Sequence, residues 1–193
     1  MYITEDTIAG LAEKYGKPES WYAGVFCYPS EFEMIRASQK HGRSHDVTVY
    51  ILKGDKIIVN AKHFYPPGLF RAPSGGIKKG EAFIDGVRRE MCEETGCEIN
   101  LTRFLLRTEA TFYRREPDER IISSQAVQWR SLVFLADYVS GDFKFSDHHE
   151  IREVALVSWA DFDNFTRVMR RTAIGGFHYR AGLHDRVRQI LFP

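Results

Sequence analysis

The spacing of apolar residues changes along the chain, and this change most limits the folds that the sequence can adopt. Residues 47–52 and 57–61 are short apolar runs on either side of Lys53-Gly54-Asp55-Lys56, a pattern typical of a β-hairpin. Residues 82–95 instead carry apolar side chains four residues apart, and Gly96 follows them. That pattern predicts an amphipathic helix that ends at the glycine. A chain that holds both patterns in succession belongs to the α/β class.

Further helices and strands are predicted on both sides of this unit. A first helix has Thr4 as its N-cap, and a second begins at a capping box formed by Ser30 and Glu33. Asp161 is the expected N-cap of a later helix. The aromatic stretch 21–29 is expected to pack onto the main body. The remaining predicted elements are extended segments at 101–113, 127–139 and 154–159 and helices at 161–172 and 183–191.

The order of these elements predicts a mixed β-sheet sandwiched by helices. No internal repeat or interdomain linker is visible in the sequence. We therefore expect one main domain over residues 45–193, which includes the C-terminal helices. An N-terminal helical extension over residues 1–44 precedes it.

Composition excludes several classes of protein. The 193 residues are 44% hydrophobic and 27% charged, which is ordinary for a globular protein and unlike a disordered chain, a collagen or a coiled-coil rod. No apolar run of about 18 residues is present, so no membrane span is expected. A net charge of +1 gives no strong signal for nucleic-acid binding. Three cysteines without a C-x-x-C pair favour reduced thiols, and thus a cytoplasmic location.

Three carboxylates lie close together on the predicted helix at 82–95. At about 100° per residue, Glu90, Glu93 and Glu94 point into one sector. Like charges at this spacing repel, and the helix dipole disfavours anions near the C-terminus. A divalent cation such as Mg²⁺, which accepts carboxylate oxygens, removes this conflict. Arg89 precedes Glu93 by four residues and can pair with it. The alternative is a solvated acidic helix end beside a glycine loop.

Residues 75–97 resemble the Nudix box, G-x5-E-x7-R-E-U-x-E-E-x-G-U, where U is a bulky apolar residue. Cys97 occupies the last U position, where an aliphatic residue is usual, and cysteine is itself a small hydrophobe. The resemblance implies a Nudix-type α/β/α sandwich. It also implies hydrolysis of the diphosphate in a nucleoside diphosphate linked to another moiety X. The matching positions are Gly75, Glu81, Arg89, Glu90, Met91, Glu93, Glu94 and Gly96.

The resemblance also implies roles for individual residues. Glu90, Glu93 and Glu94 would bind Mg²⁺, with Mn²⁺ as a possible substitute, and the backbone carbonyl of Ser74 would complete the metal's shell. Arg89 would orient the carboxylates, and Glu81 would be an outer carboxylate. The implied catalytic residues are Arg89, Glu90, Glu93 and Glu150.

The catalytic base in this family is not fixed to one position of the box. Glu150, on the loop 146–150, is the first candidate outside the box for an added metal ligand or base. Glu116 and Glu119 are the next candidates.

Substrate binding depends on residues outside the box. ADP-ribose pyrophosphatases often carry an acidic residue where this chain has Arg71 and a proline where it has Tyr113. Both departures disfavour that subfamily, and the aromatic favours dinucleoside polyphosphates. Arg180 could grip a terminal phosphate or lie at an interface. The expected substrate-binding residues are therefore Arg71, Tyr113 and Arg180, and the expected partner is a small nucleotide.

Two alternatives stay open from the sequence. A Nudix-like module could sense a nucleotide without cleaving it, although the box carboxylates are intact. Independently of the activity, the extension over residues 1–44 could serve to build a homodimer, as such extensions often do in this family.

Overall fold

A computed structural model describes residues 3–40 and 42–193 of the chain. The helices are α1 (Glu5–Tyr15), α2 (Pro29–Lys40), α3 (Phe83–Thr95), α4 (Trp159–Arg170) and α5 (Gly175–Leu191). The strands are β1 (Glu19–Cys27), β2 (His45–Lys53), β3 (Lys56–Lys62), β4 (Ser74–Gly75), β5 (Cys97–Arg115), β6 (Ile121–Gly141) and β7 (Ile151–Val157). The predicted hairpin is β2 and β3, and the predicted glycine-ended helix is α3.

The strands form one mixed sheet. Its order is β1-β5-β6-β2-β3-β7, and the short β4 pairs with β2 beside this path. β1 runs parallel to β5, and β2 runs parallel to β6, whereas the other neighbours are antiparallel. The expectation of a mixed sheet is confirmed.

Helices cover both faces of the sheet. Side chains on successive residues of β2 enter different apolar clusters: Val49 joins the cluster that contains α1 and α3, and Tyr50 joins the one that contains α2, α4 and α5. This alternation follows from the two-residue period of a strand. The result is the expected α/β/α sandwich. Among the described residues, no helix is long and apolar enough to cross a membrane.

The N-terminal segment is not purely helical. Residues 19–27 form β1, which pairs in register with β5, for example Ala23 with Ala110. Alternate residues of β1 are more buried, down to Val25 and Cys27 at its end. The sequence does not show this alternation clearly, because aromatic residues occupy both faces of β1. Tyr22, for example, lies on the outer face and is 77% exposed. The stretch 21–29 thus packs onto the main body, as expected, but as an edge strand.

Two expected helix caps differ in the structure. Helix α2 begins at Pro29, so Ser30 lies inside the helix and not at the N-cap that a capping box with Glu33 requires. Proline favours the first helical position because its φ is already helical and it has no N–H to satisfy. In α4 the N-cap is Ser158, and Asp161 is the third helical residue of a complete capping box. Thr4 caps α1 as predicted, by accepting the N–H of Thr7.

Candidate active site

The acidic end of α3 lies against the glycine loop. A Cβ atom on Gly75 would overlap the carboxylate of Glu90, so this position tolerates only glycine without a local shift. Gly75 belongs to β4, which pairs with β2 at the centre of the sheet. The box glycine therefore lets the helix carboxylate approach the sheet backbone closely.

Arg89 joins three of the carboxylates. Its guanidinium donates to both oxygens of Glu81, at 2.7 and 2.9 Å, and to Glu90 Oε1 at 2.8 Å and Glu93 Oε2 at 2.9 Å. A further N–H reaches the carbonyl oxygen of Gly76 at 3.2 Å. These bonds hold the pKa of Glu81 at about 2, mainly through Arg89. Arg89 is thus the cation that organises the cluster, as expected for an orienting residue.

Negative charge accumulates at Glu90 in spite of this arginine. Burial raises the pKa of the Glu90 carboxyl, and the charges of Glu94 and Glu93 add to the effect. The hydrogen bond from Arg89 opposes the rise without cancelling it. A carboxylate in this state gains from an additional nearby cation.

Glu94 forms a buried ion pair with Arg71. Its Oε1 accepts from Arg71 Nη2 at 3.1 Å, and its Oε2 accepts from Asn60 Nδ2 at 2.7 Å and the Ser74 N–H at 2.9 Å. The side chains of Arg71 and Glu94 are only 3% and 4% exposed. Of the three carboxylates, Glu94 is thus paired with a buried arginine, whereas Glu90 and Glu93 bond the partly exposed Arg89.

A cavity of about 780 Å³ opens beside this cluster. It is bordered by the helix carboxylates, by the loop before β7, by α2 and by the start of α5. Of the residues predicted from the sequence, the structure brings these to its wall: Ser74, Arg89, Glu90, Glu93, Glu94, Glu150 and Arg180.

Two predicted substrate-binding residues do not line the cavity. Arg71 is buried as the partner of Glu94. The ring of Tyr113 stacks on Phe26 with 5.8 Å between the ring centroids. Its neighbour Phe112 is 4% exposed and reaches the cavity wall.

The loop before β7 is tied to the end of α3. The N–H groups of Ser146 and Asp147 both donate to the carbonyl oxygen of Glu93, at 3.0 Å each. Glu150 pairs with Lys62 of β3. Burial opposes ionisation of Glu150, but the hydrogen bond and charge of Lys62 hold its pKa below the ordinary value.

Glu116 and Glu119 lie apart from this cavity. Glu116 accepts from Arg114 at 2.7 Å, and Glu119 accepts from the hydroxyl of Tyr28 at 3.0 Å. Neither glutamate lines the cavity wall. Of the candidates for a base outside the box, only Glu150 reaches the cavity.

Sequence reasoning missed the contribution of α2 to the cavity. Met34 and Ile35 line it, and Met34 is 58% exposed in spite of its apolar side chain. Phe64 and Ile174 add exposed apolar surface at 63% and 40%. The available signal was that Met34 lies outside the apolar face of its own helix. Its position over the cavity depends on the fold, so the sequence could not predict it.

Cations also line the cavity. Arg180 of α5 donates to Thr48 Oγ1 at 3.0 Å, to Asp46 Oδ2 at 3.1 Å and to Ser74 Oγ at 2.9 Å, and its side chain keeps 21% of its surface exposed. Lys62 and Lys78 lie on other parts of the wall. Phosphate oxygens are suitable ligands for these groups.

The chemistry of the carboxylates fits a hard divalent cation such as Mg²⁺, which takes oxygen ligands. Burial, together with the charges of Glu94 and Glu93, raises the pKa of Glu90, and a nearby cation would favour its ionised form. In the described part of the chain, however, no three acidic, histidine or cysteine side chains are arranged as a ready metal site. The reason is that Arg89 occupies oxygens of Glu90 and Glu93, while Arg71 holds Glu94. Arg89 takes one oxygen of each glutamate, Glu90 Oε1 and Glu93 Oε2, so a metal would take the second oxygen of each.

The fold is a mixed sheet between helical layers, and in it a glycine loop is pressed against an Arg-bridged set of glutamates. The family model of the NUDIX domain matches residues 42–174, and the chain belongs to the Nudix family.

Similar proteins include the NAD-capped RNA hydrolase NudC of Haemophilus influenzae, 28% identical over 120 residues, which are 61% of this chain and 39% of that protein. The chain thus spans about two fifths of the length of the curated relatives it matches. A UDP-X diphosphatase structure aligns with a TM-score of 0.52 at 16% identity, covering 82% of this chain and 70% of that one. A Nitrosomonas europaea NUDIX hydrolase aligns with a TM-score of 0.50 at 18% identity, covering 75% and 67%. These structural likenesses show the fold.

Proposed function

We propose that the protein is a Mg²⁺-dependent hydrolase that cleaves the diphosphate bond of a nucleoside diphosphate linked to a moiety X. The observation that carries this proposal is the cavity wall itself. It combines the box glutamates, which suit a divalent cation, with cations that suit phosphate oxygens, Lys62, Lys78 and Arg180. Mn²⁺ is a possible substitute for Mg²⁺.

In this proposal Glu90 and Glu93 are the main protein ligands of the metal. When bound, the metal supplies charge neutralisation of the diphosphate and activation of a water. Arg89 orients the two glutamates through one oxygen of each. Glu150 is the proposed base or added ligand on the facing loop, since it alone of the outer candidates reaches the cavity.

Glu94 has a different part in the proposed site. It accepts the N–H of Ser74 and so fixes the loop whose carbonyl oxygen is a proposed metal ligand. Oε1 of Glu94 accepts only from Arg71 among the described groups, which leaves it capacity for one more partner. We propose that Glu94 contributes to the metal site chiefly by positioning this loop.

The rest of the cavity suits a nucleoside. Exposed apolar side chains from α2 and two loops, Met34, Phe64 and Ile174, offer a surface for a planar base, while Arg180 and Lys62 lie nearer the acidic cluster. The curated relatives named as NAD-capped RNA hydrolases also support a nucleotide substrate.

Location and assembly remain proposals. The three cysteines form no disulfide, with Cys27 and Cys97 buried and Cys92 exposed, which favours the reducing cytoplasm. The proposed assembly is a homodimer through the N-terminal segment, and light scattering measures it.

The test is a substrate panel with purified protein. We expect release of a nucleoside monophosphate from at least one of ADP-ribose, a nucleotide sugar, a dinucleoside polyphosphate or a capped nucleotide in the presence of Mg²⁺ or Mn²⁺. EDTA should abolish the release, and Glu93→Gln should lower turnover on the order of a hundredfold. Glu98→Gln, an exposed carboxylate on β5 that bonds Ser140, is the matched control. Inactivity on the whole panel with both metals would favour the non-catalytic nucleotide sensor.

A further inference from the structure

A second, smaller cavity adjoins the first on the other side of Glu90. Its volume is about 400 Å³. The two cavities share four wall residues, so they adjoin at the acidic cluster. The shared residues are Ser38, Arg43, Lys78 and Glu90.

The smaller cavity is rich in positive charge. Arg43, Lys78 and Lys79 line it, against the single carboxylate of Glu90. Among the ion pairs of the described residues, none involves these three cations, whereas Glu90 is already bonded by Arg89. Three cations without an acidic partner around one concave surface attract a multiply charged anion.

Arg43 is held in place at this cavity. Its guanidinium lies over the ring of Trp129, with 5.8 Å to the ring centroid. Its side chain also lies against Gly76, where a Cβ atom would meet Arg43 Cδ and Nη1 at 2.6 Å. Gly76 therefore leaves room for the arginine to approach the loop. A guanidinium fixed in this way loses less freedom when it binds a phosphate.

We propose that Arg43, Lys78 and Lys79, the cationic subsite, bind a further phosphate of the substrate beyond the diphosphate that is cleaved. This inference rests on the proposed function and narrows its substrate class. The nucleoside lies in the large cavity, the diphosphate passes Glu90, and the chain of phosphates continues into the cationic subsite. Substrates with three or more consecutive phosphates are therefore preferred to those in which X is a neutral sugar.

Diadenosine compounds with two, three and four phosphates test this directly, since their two ends are identical. We expect KM of the wild-type protein to fall as the number of phosphates rises. Lys79 lines only the smaller cavity, so Lys79→Ala should raise KM for the tetraphosphate roughly three- to fivefold, the size typical of an exposed charge pair. It should leave KM for the diphosphate and kcat for both within about twofold.

Lys17→Ala is the matched control. Lys17 is also exposed and lines neither cavity. We expect it to leave every KM unchanged. If KM does not depend on the number of phosphates, or if Lys79→Ala and Lys17→Ala behave alike, the cationic subsite is overturned while the proposed hydrolase stands.

A binding measurement separates this inference from the proposed activity. Calorimetry without metal should show that inorganic tripolyphosphate binds the wild-type protein more tightly than pyrophosphate does, and that Lys79→Ala removes the difference. Higher salt should weaken both, as screening requires. Tripolyphosphate binding that depends on Lys79 in a protein inert towards every substrate would support the subsite and overturn the hydrolase. Equal affinity for the two anions would overturn the subsite.

Discussion

Two neighbouring glutamates of one motif occupy opposite environments. The side chain of Glu93 is 42% exposed and bonds Arg89, while that of Glu94 is 4% exposed and bonds Arg71. Helical spacing alone places both in one sector, and it cannot show that Arg71 reaches the helix from a loop 23 residues earlier. The sequence therefore indicated which residues carry the charge, but not which charge is neutralised by the protein itself.

Glu94→Gln should destabilise the metal-free protein. The substitution keeps the size of the side chain but leaves the buried charge of Arg71 without its partner, and breaking a buried pair in this way costs about 3–5 kcal/mol. Urea unfolding in EDTA measures the loss. Glu93→Gln is the matched control, and we expect its free energy of unfolding to stay within about 0.5 kcal/mol of wild type, because exposed pairs contribute little. Equal stability of the two variants would contradict the structural role of Glu94.

The carboxylate of Glu81 predicts a pH dependence of stability. Its pKa falls from 4.5 to about 2 in the folded protein, chiefly through Arg89. A depressed pKa gives stability that is complete above pH 4.5 and is lost as pH falls towards 2. Glu81→Gln should therefore be less stable than wild type at pH 7 by about 1–2 kcal/mol, since water screens part of the interaction. The difference should vanish near the lower pKa.

Denaturant unfolding at a series of pH values between neutral and strongly acid measures this difference. Glu98→Gln serves as control, because Glu98 is exposed and bonds Ser140 without an arginine. A stability gap between Glu81→Gln and wild type that stays constant down to the lowest pH would count against the Arg89 explanation.

Among the helices and strands, the sequence predicted those that are formed by contacts between residues close together in the chain. This applies to the hairpin of β2 and β3 and to the glycine-ended helix α3. Both were predicted because the spacing of their apolar residues and their turn or end residues can be read from a short stretch of sequence. β1 was missed because its pairing partner β5 begins 70 residues after β1 ends, so that no nearby residue reports the pairing. The wall of the cavity from α2 was missed for the same reason, whereas Arg180 of α5 was predicted.

One carboxylate connects helices α2 and α5 through hydrogen bonds. Glu31 of α2 accepts the N–H groups of Gly175 and Gly176 at the N-terminus of α5, at 3.1 and 2.5 Å. Anions are favoured at this end of a helix. A Cβ atom on Gly175 would overlap the carbonyl oxygen of Phe26 in β1. The glycine therefore permits the close contact of α5 with both N-terminal elements.

Gly175→Ala should lower the free energy of unfolding by about 2 kcal/mol or more, because the backbone oxygen of Phe26 cannot move as a flexible side chain can. Gly10→Ala is the matched control in helix α1, where a Cβ meets nothing within 4 Å. There we expect a gain of about 0.5–1 kcal/mol from helix propensity. Thermal and denaturant unfolding of both variants check the opposite signs, and a neutral or stabilising Gly175→Ala would contradict the close packing.

For the whole molecule, the segment that the family model matches does not contain the whole cavity. The match covers residues 42–174, whereas α2 precedes it and α5 follows it. Both helices nevertheless line the cavity, with Met34 and Arg180 among their contributions. The motif predicted the acidic cluster. The rest of the cavity wall includes α2 and α5, which carry no motif of their own.

The fold of the whole molecule also predicts whether a chain that begins at His45 can fold. That chain lacks the apolar core residues of the N-terminal segment, Ile3, Ile8, Leu11, Val25, Cys27 and Phe32. At about 1.5–3 kcal/mol for each large apolar side chain, their loss is comparable to the total stability of a domain, about 5–15 kcal/mol. It also exposes the edge of β5 over residues 106–114, which pair with β1. We therefore expect residues 45–193 alone to aggregate or remain unfolded.

Circular dichroism, thermal unfolding and light scattering on this truncated chain and on the full chain measure the outcome. A chain that begins at Ile3 controls for truncation as such, because it keeps α1 and its Thr4 cap. If residues 45–193 fold with full stability and only the oligomeric state changes, the N-terminal segment is a separable extension for dimerisation. If they fail to fold while the chain from Ile3 is as stable as wild type, the N-terminal segment is part of the domain core, because β1 and the buried side chains of α1 and α2 complete the two apolar clusters.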